Sequence, residues 1–292
     1  MKPIKPMLAE ITTEAELKTL TESKKYIFEP KLDGIRMIAE VKDHKVRLYA
    51  RSGTEKTHLF PDLDIQTTTD CVLDGEVISG NSFNGIQHRA NRIEGIAQAV
   101  KDHPARYSVF DILAFQDLSL MSHNLMDRKG ILTNVLVPTE NVSATKWVDD
   151  GVALFELMKQ NNLEGVVGKD KIGLYHENKR EWKKVKCWQE GAFVAVGYTP
   201  GTGWRASTFG ALVLADTNGN YVGEVGTGFT EGDIRKLFLS FKTYPGLQGM
   251  TGKNWKMAPK QTTYIMSFPV KIKYLEFSNE GILRLHVFKG VV

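Results

Sequence analysis

Glu29-Pro30-Lys31-Leu32-Asp33-Gly34-Ile35-Arg36 follows directly on the apolar run Tyr26-Ile27-Phe28. A short strand thus ends in a lysine, a carboxylate, a glycine and an arginine within six residues. At its ordinary pKa of about 10.4, lysine is only roughly one-thousandth neutral near pH 7, so it is a poor nucleophile unless a pocket and neighbours deprotonate it. Two readings stand at this point: a strand end with solvated charges, or a site whose lysine does chemistry. The rest of the chain bears on the choice.

Upstream, Thr12 to Ser23 reads as a short capped helix carrying Leu17 and Leu20. Downstream, Met37 to Val41 and Val46 to Ala50 read as antiparallel strands around the polar turn Lys42-Asp43-His44-Lys45, which puts Arg51-Ser52-Gly53 at a strand end. Cys71 to Ile78 is an apolar strand interrupted by Asp74-Gly75-Glu76. Acids inside a strand are expensive unless they are paired, hydrogen-bonded or metal-bound, so the interruption is either an Asp-Gly hairpin or a site. Phe83, Gln87 and Arg89 form a Phe-x-x-x-Gln-x-Arg pattern, and Asn91 to Lys101 has helical spacing that stops before Pro104. Tyr107 to Leu113 reads as a buried strand holding Phe110 and Asp111. Leu125 to Leu136 and Gly151 to Asn161 read as helices flanking a sheet. Leu163-Glu164-Gly165-Val166-Val167-Gly168-Lys169 then sets a glutamate and a glycine before another strand. In Trp182-Lys183-Lys184-Val185-Lys186, strand alternation points Lys184 and Lys186 to one face, where they repel unless an anion lies between them or solvent reaches them.

Taken in order, these elements resemble the covalent nucleotidyltransferases: ATP- or NAD-dependent DNA ligases, RNA ligases and mRNA capping enzymes. Lys31-Leu32-Asp33-Gly34-Ile35-Arg36 and Glu164-Gly165-Val166-Val167-Gly168-Lys169 are the most specific matches, and the resemblance covers residues 29 to 186. It implies that Lys31 is the attachment site for the nucleotide and that Lys184 and Lys186 act on its α-phosphate. It further implies nucleotide contacts from Glu29, Arg36, Arg51, Glu76, Phe110 and Glu164, with Phe110 stacking on the adenine. Glu76 and Glu164 would hold Mg²⁺ or Mn²⁺, since hard cations take one or two carboxylates plus phosphate oxygens. Arg36, Arg51, Gln87 and Arg89 would contact DNA.

From Glu190 the texture changes to short runs divided by glycine-rich turns. Strands are expected at Phe193 to Tyr198, Ala211 to Ala215, Tyr221 to Gly226, Val270 to Phe277 and Ile282 to Phe288, with a hairpin at Asn218-Gly219 and a helix from Thr230 to Leu239. The fold expected is α+β: an ATP-grasp-like nucleotidyltransferase domain of antiparallel sheets with flanking helices over 1–188, then an OB-fold β barrel over 189–292. Gly226-Thr227-Gly228-Phe229-Thr230 also resembles ligase OB domains. The final segment Arg284-Leu285-His286-Val287-Phe288-Lys289 departs from the family pattern, with His286 at the usual proline, so Arg284 or Lys289 is the candidate for orienting pyrophosphate. Lys242 to Gln261, with Lys253, Lys256, Lys260 and Trp255, is either a DNA-contacting segment or a solvated insertion.

The chain has 292 residues, 42% hydrophobic and 25% charged, which suits a globular protein of one or two cores. Lys+Arg 38 against Asp+Glu 34 gives +4, so a nucleic-acid partner is allowed and not demanded. The two cysteines, Cys71 and Cys187, have no zinc-ribbon or disulfide spacing. No signal-peptide h-region and no run of eighteen apolar residues is present, so an intracellular enzyme is expected. The resemblance implies a monomeric, ATP-dependent DNA ligase acting on nicked duplex DNA, ATP being expected over NAD from the short lead before Lys31. A viral or small accessory repair enzyme fits that size. The alternatives are an RNA ligase or capping guanylyltransferase, and a non-catalytic nucleic-acid clamp, against which the intact Lys31, Glu76, Glu164, Lys184 and Lys186 speak.

Overall fold

The computed structural model describes residues 4–80, 83–90, 92, 94–243, 252–278 and 280–292, the side chains of Phe83, Asn84 and His88 excepted. The chain divides into two compact units, Met1–Cys187 and Trp188–Val292. Each is a mixture of α and β in which sheets dominate.

Two main sheets build the first unit, with Gln66–Thr67 and Leu136–Val137 forming a small third and Leu118–Ser119 pairing at the side of the second. The strands Leu8–Ile11, Arg180–Lys186, Gly165–Asp170 and Tyr26–Pro30 lie side by side in that order. The second sheet runs Val142–Ala144, Arg106–Phe115, Cys71–Ile78, Ile35–Lys42, Lys45–Ala50. Local chemistry accounts for much of this. Asp43 and His44 both take positive φ, the conformation of a two-residue hairpin whose twist matches that of its strands, and the register Lys42 to Lys45 follows. The helix Glu14–Glu22 starts on a full capping box, Thr13 and Glu16 each satisfying the other's backbone N–H. Asp74-Gly75-Glu76 continues its strand unbroken, with Asp74 opposite Ile38 on one neighbour and Asp111 on the other, so the hairpin alternative is not realised.

Two of the acids inside these strands are paired, Asp74 with Arg36 and Asp111 with Arg128. Asp111 and Arg128 are both fully buried and joined by two bonds of 2.8 and 2.9 Å. Arg128 sits on the helix Leu125–Val135, which is thereby pinned to the strand carrying Phe110. The main core, Met37, Ala39, Leu48, Leu73, Val109 and Ile112 among others, lies on one side of the second sheet. Its other side contributes Ile38, Val72, Phe110 and Leu113 to a cluster shared with Trp182 of the first sheet.

Two expectations change in this unit. The helix expected over Asn91 to Lys101 spans Ile96–Asp102, entered through Gly95 at φ 72°, while Asn91 and Ile93 lie outside the described residues. The residues Phe83–Ala90, read in sequence only as a motif, form a helix of their own.

The second unit is a five-stranded antiparallel sheet in the order Tyr221–Val225, Phe209–Ala215, Gln189–Pro200, Thr263–Tyr274, Val287–Val291. That order leaves the sheet open among the described residues. The helix Glu231–Ser240 again begins on a capping box, Thr230 with Asp233, and buries Ile234 and Leu237. Phe229 stacks on Phe288 at 4.3 Å and packs edge-on to Phe209. The strand expected to begin at Val270 begins instead at Thr263, running through Pro269, whose carbonyl accepts from Val292 N. A proline lacks only the donor, so one ladder bond is lost and the strand continues. No helix among the described residues is long and apolar enough to cross a membrane.

Candidate active site

Between the two sheets of the first unit lies a cleft of about 210 Å³. Strand alternation supplies its walls. Glu29 and Lys31 project two residues apart from one strand, and Val167 faces Glu29 across the ladder with Lys169 two residues further on. Trp182 and Lys184 come from the neighbouring strand by the same rule, while Arg36, Glu76 and Phe110 enter from the opposite sheet. Arg51, exposed at the end of its strand, completes the rim.

Lys31 Nζ donates to Glu164 Oε2 at 2.6 Å, and Lys186 Nζ lies 3.0 Å from Glu164 Oε1. One carboxylate therefore bridges two lysines. Two glycines permit close backbone approaches at the site, Gly165 at this bridge and Gly34 beside Glu76. Gly165 sits at φ 143°, and a Cβ there would overlap the Val185 carbonyl of the strand that carries Lys186. A Cβ on Gly34 would likewise overlap the Val77 carbonyl next to Glu76. Burial, with the charges of Lys31 and Lys186, holds the Lys184 ammonium below its ordinary pKa. Burial also raises the Glu76 carboxyl to about 7 against the pull of Lys31 and Arg36, and the carboxylates of Glu164 and Asp74 add to the rise.

Deeper in, Phe110 and Trp182 meet edge to face at 5.8 Å. Two cations flank them: the Arg36 guanidinium lies 5.0 and 4.9 Å from the two ring centres, and Lys169 Nζ lies 4.2 and 4.1 Å from them. Asp74 grips Arg36 with both oxygens and accepts from Tyr175 Oη at 2.7 Å. Lys169, 1% exposed, has its Nζ ion-paired with Glu29 Oε2 at 2.6 Å. Burial lowers its pKa to about 8 against the attraction of Glu29, helped by the charge of Lys129.

The cleft thus has aromatic rings among its lining and a carboxylate-bridged lysine pair, Lys31 and Lys186, beside it. Residues 6–186 match the family of the ATP dependent DNA ligase domain. The chain belongs to this family. The SPbeta prophage-derived DNA ligase-like protein LigB of Bacillus subtilis (strain 168) is 33% identical over 200 residues, covering 67% of this chain and 72% of its own. The DNA ligase of Pyrobaculum islandicum is 28% identical over 83% of this chain but 46% of its own length, so the chain spans under half of that curated relative. The crystal structure of the ligase domain from M. tuberculosis LigD is 26% identical, with a TM-score of 0.55 over 100% of this chain and 96% of that one.

Within this ligase-family chain the fold gathers Glu29, Lys31, Arg36, Arg51, Glu76, Phe110 and Lys184 at one cleft, with Glu164 and Lys186 tied to Lys31 beside it. Arg89 is not brought there. It is 0% exposed, forked onto Asp62 and donating to the carbonyls of Leu59 and His103, which leaves it no surface for DNA. That corrects the DNA-contact expectation for Arg89. Gln87 is exposed on its helix, and the Phe83 side chain lies outside the described residues. Arg284 pairs with Glu276 and Lys289 is exposed, both in the second unit. Of the basic segment, 244–251 lie outside the described residues; Lys253, Lys256 and Lys260 are exposed, and Trp255 is anchored through Nε1 to the Gly219 carbonyl at 2.9 Å. Sequence reasoning missed Trp182 and Lys169 as cleft residues. Alternation from Lys184 would have found the first, and the spacing from Glu29's partner Val167 the second.

Proposed function

We propose that this chain is an ATP-dependent DNA ligase that seals nicks bearing a 5′-phosphate and a 3′-hydroxyl. The observation that carries the reading is the carboxylate-bridged pair Lys31 and Lys186 beside an aromatic-lined cleft. Lys31 Nζ forms a P–N bond to the α-phosphorus of ATP as the P–O bond to pyrophosphate breaks, and Glu164 Oε2 takes up the proton that leaves Nζ. Lys184 and Lys186 stabilise the charge that builds on the phosphoryl oxygens. AMP then passes to the 5′-phosphate of the nick, restoring Lys31. Attack by the 3′-hydroxyl finally forms the phosphodiester and expels AMP, each step being an in-line displacement that depends mainly on positioning.

Glu76 and Glu164 lie near enough that each charge opposes the other, a donor set that suits a hard divalent cation with phosphate oxygens as further ligands. When bound, Mg²⁺ or Mn²⁺ supplies charge neutralisation at the α-phosphate. Phe110 and Trp182 would hold the base. Glu29 offers an acceptor beside the Lys169 donor, which complements the 6-amino and N1 of adenine and opposes the O6 and N1–H of guanine. Arg36 and Arg51 would meet the ribose and phosphates, and Arg51 and Gln87 the nicked duplex.

Residues 1–188 would form the adenylation domain and 189–292 an OB-fold domain, with Arg284 or Lys289 orienting pyrophosphate. The five antiparallel strands and the one helix support that assignment, although the strand order closes no barrel among the described residues. The active form would be a monomer. The test is incubation with Mg²⁺ and α-labelled ATP, GTP or NAD, followed by denaturing electrophoresis. Label from ATP that disappears in Lys31→Ala is expected; label from GTP alone would overturn the reading. Sealing of nicked DNA against nicked RNA then fixes the substrate.

A further inference from the structure

The helix Leu125–Val135 places two consecutive basic residues in the interior, and both are committed to the base end of the cleft. Arg128 holds Asp111, the neighbour of Phe110. Lys129, 7% exposed, pairs through Nζ with Glu29 Oε1. Lys129 does not line the cleft, whereas Glu29 and Lys169 do.

The carboxylate of Glu29 thus has one lysine on each oxygen. Lys129 Nζ donates to Oε1, while Lys169 Nζ is ion-paired with Oε2 at 2.6 Å and, as an ammonium with three protons, keeps donors beyond the one directed at the carboxylate. A carboxylate shared with Lys129 leaves those donors to face the cleft. We infer that Lys129 is a positioning residue for nucleobase selection, orienting Glu29 so that its free lone pairs and the Lys169 donors together read the amino-purine edge. The inference rests on the adenylate reading of the cleft.

Without Lys129, Glu29 has a single cationic partner. It then realigns onto Lys169, consuming both the acceptor and the donor that the base edge needs. The fold tolerates this loss on charge grounds, because one carboxylate against two ammoniums becomes a balanced pair. Methionine at 129 keeps a comparable unbranched stem.

The experiment measures self-labelling rates across ATP concentrations for wild type, Lys129→Met and Lys129→Arg, with ATP and with purine riboside triphosphate, which lacks the 6-amino group. Wild type is expected to favour ATP by roughly tenfold or more, as a hydrogen bond to a charged group allows. Lys129→Met should lose most of that preference through a higher KM for ATP, with its saturated rate and its response to purine riboside triphosphate little changed. Lys129→Arg should restore part of the preference. Equal loss on both nucleotides, or a fall in the saturated rate alone, would mark a merely structural lysine and overturn the inference. Wild type that takes no label from ATP would instead overturn the ligase reading. Thermal unfolding separates a folded Lys129→Met from an unfolded one, and if it is unfolded Lys129→Gln takes its place in the same comparison.

Discussion

Lys31 Nζ lies 2.6 Å from Glu164 Oε2, the other oxygen of which is 3.0 Å from Lys186 Nζ. The residue that would attack ATP is therefore parked as a hydrogen-bond donor, and attack requires that this contact open or hand over its proton. Glutamine at 164 keeps the shape and one acceptor but removes the charge. Glu164→Gln is expected to slow lysine labelling by about a hundredfold or more, the scale of losing one aligned electrostatic partner at a reacting phosphoryl group. Lys31→Arg should abolish labelling, because guanidinium stays charged. The check is single-turnover labelling at saturating ATP; near-normal rates in Glu164→Gln would show that the bridge is only structural.

Lys169 gives a pH signature. Its folded pKa of about 8 lies below the ordinary lysine value of 10.5, so between these the unfolded chain binds more protons than the folded one. Stability from this group consequently rises as pH climbs from about 8 towards 10.5, while below 8 the full cost of burying the ammonium is present. The whole window is on the order of 3 kcal/mol. Urea unfolding at pH 7.5 and 9.5, comparing wild type with Lys169→Met, should show this rise in wild type alone. ATP affinity should move the other way, weakening above pH 8 as the ammonium becomes a poorer donor to the base.

Arg89 was expected at the DNA and is found inside. With its guanidinium forked onto Asp62, Arg89→Met strands a carboxylate that also accepts from Ala105 N at 2.9 Å. Breaking one partner of such a pair costs about 3 to 5 kcal/mol. The folded fraction should bind nicked DNA as wild type does, and Asp62→Asn added to Arg89→Met should recover part of the stability. A variant that folds normally but loses DNA binding would restore the original expectation.

That residue also marks what the sequence could convey. Lys31, Glu76, Glu164 and the Lys184, Lys186 pair were legible only together: each window alone has an ordinary structural reading, and it is their order along the chain that singles them out. The two units and most strands were legible from apolar runs between turns. Pairings across distance were not: Arg89 meets Asp62 27 residues away, and Lys129 meets Glu29 100 residues away. A lone basic residue on a helix reads as solvated until its partner is known. Phe83–Ala90 escaped notice as a helix because its glycine and short length weaken the periodic signal.

Gly165 offers the sharpest separation of geometry from stability. The backbone here ties down both sides of the Lys31–Glu164 contact: Lys31 N donates to the Gly165 carbonyl at 2.8 Å, and Cys187 N donates to the Glu164 carbonyl at 2.9 Å. A Cβ there faces strain at φ 143° and overlaps the Val185 carbonyl, so the strand must shift and carry Glu164 with it. A displacement on the order of 1 Å at a reacting centre costs about a hundredfold in rate. Gly165→Ala should therefore label far more slowly even at temperatures where it is fully folded. Gly130→Ala is the matched control: it lies inside the helix Leu125–Val135, and a Cβ there meets nothing within 4 Å. It should gain about 1 kcal/mol in stability and label at the wild-type rate. Parallel losses in the two variants would mean that labelling follows general strain in the fold and not the spacing of Lys31 from Glu164.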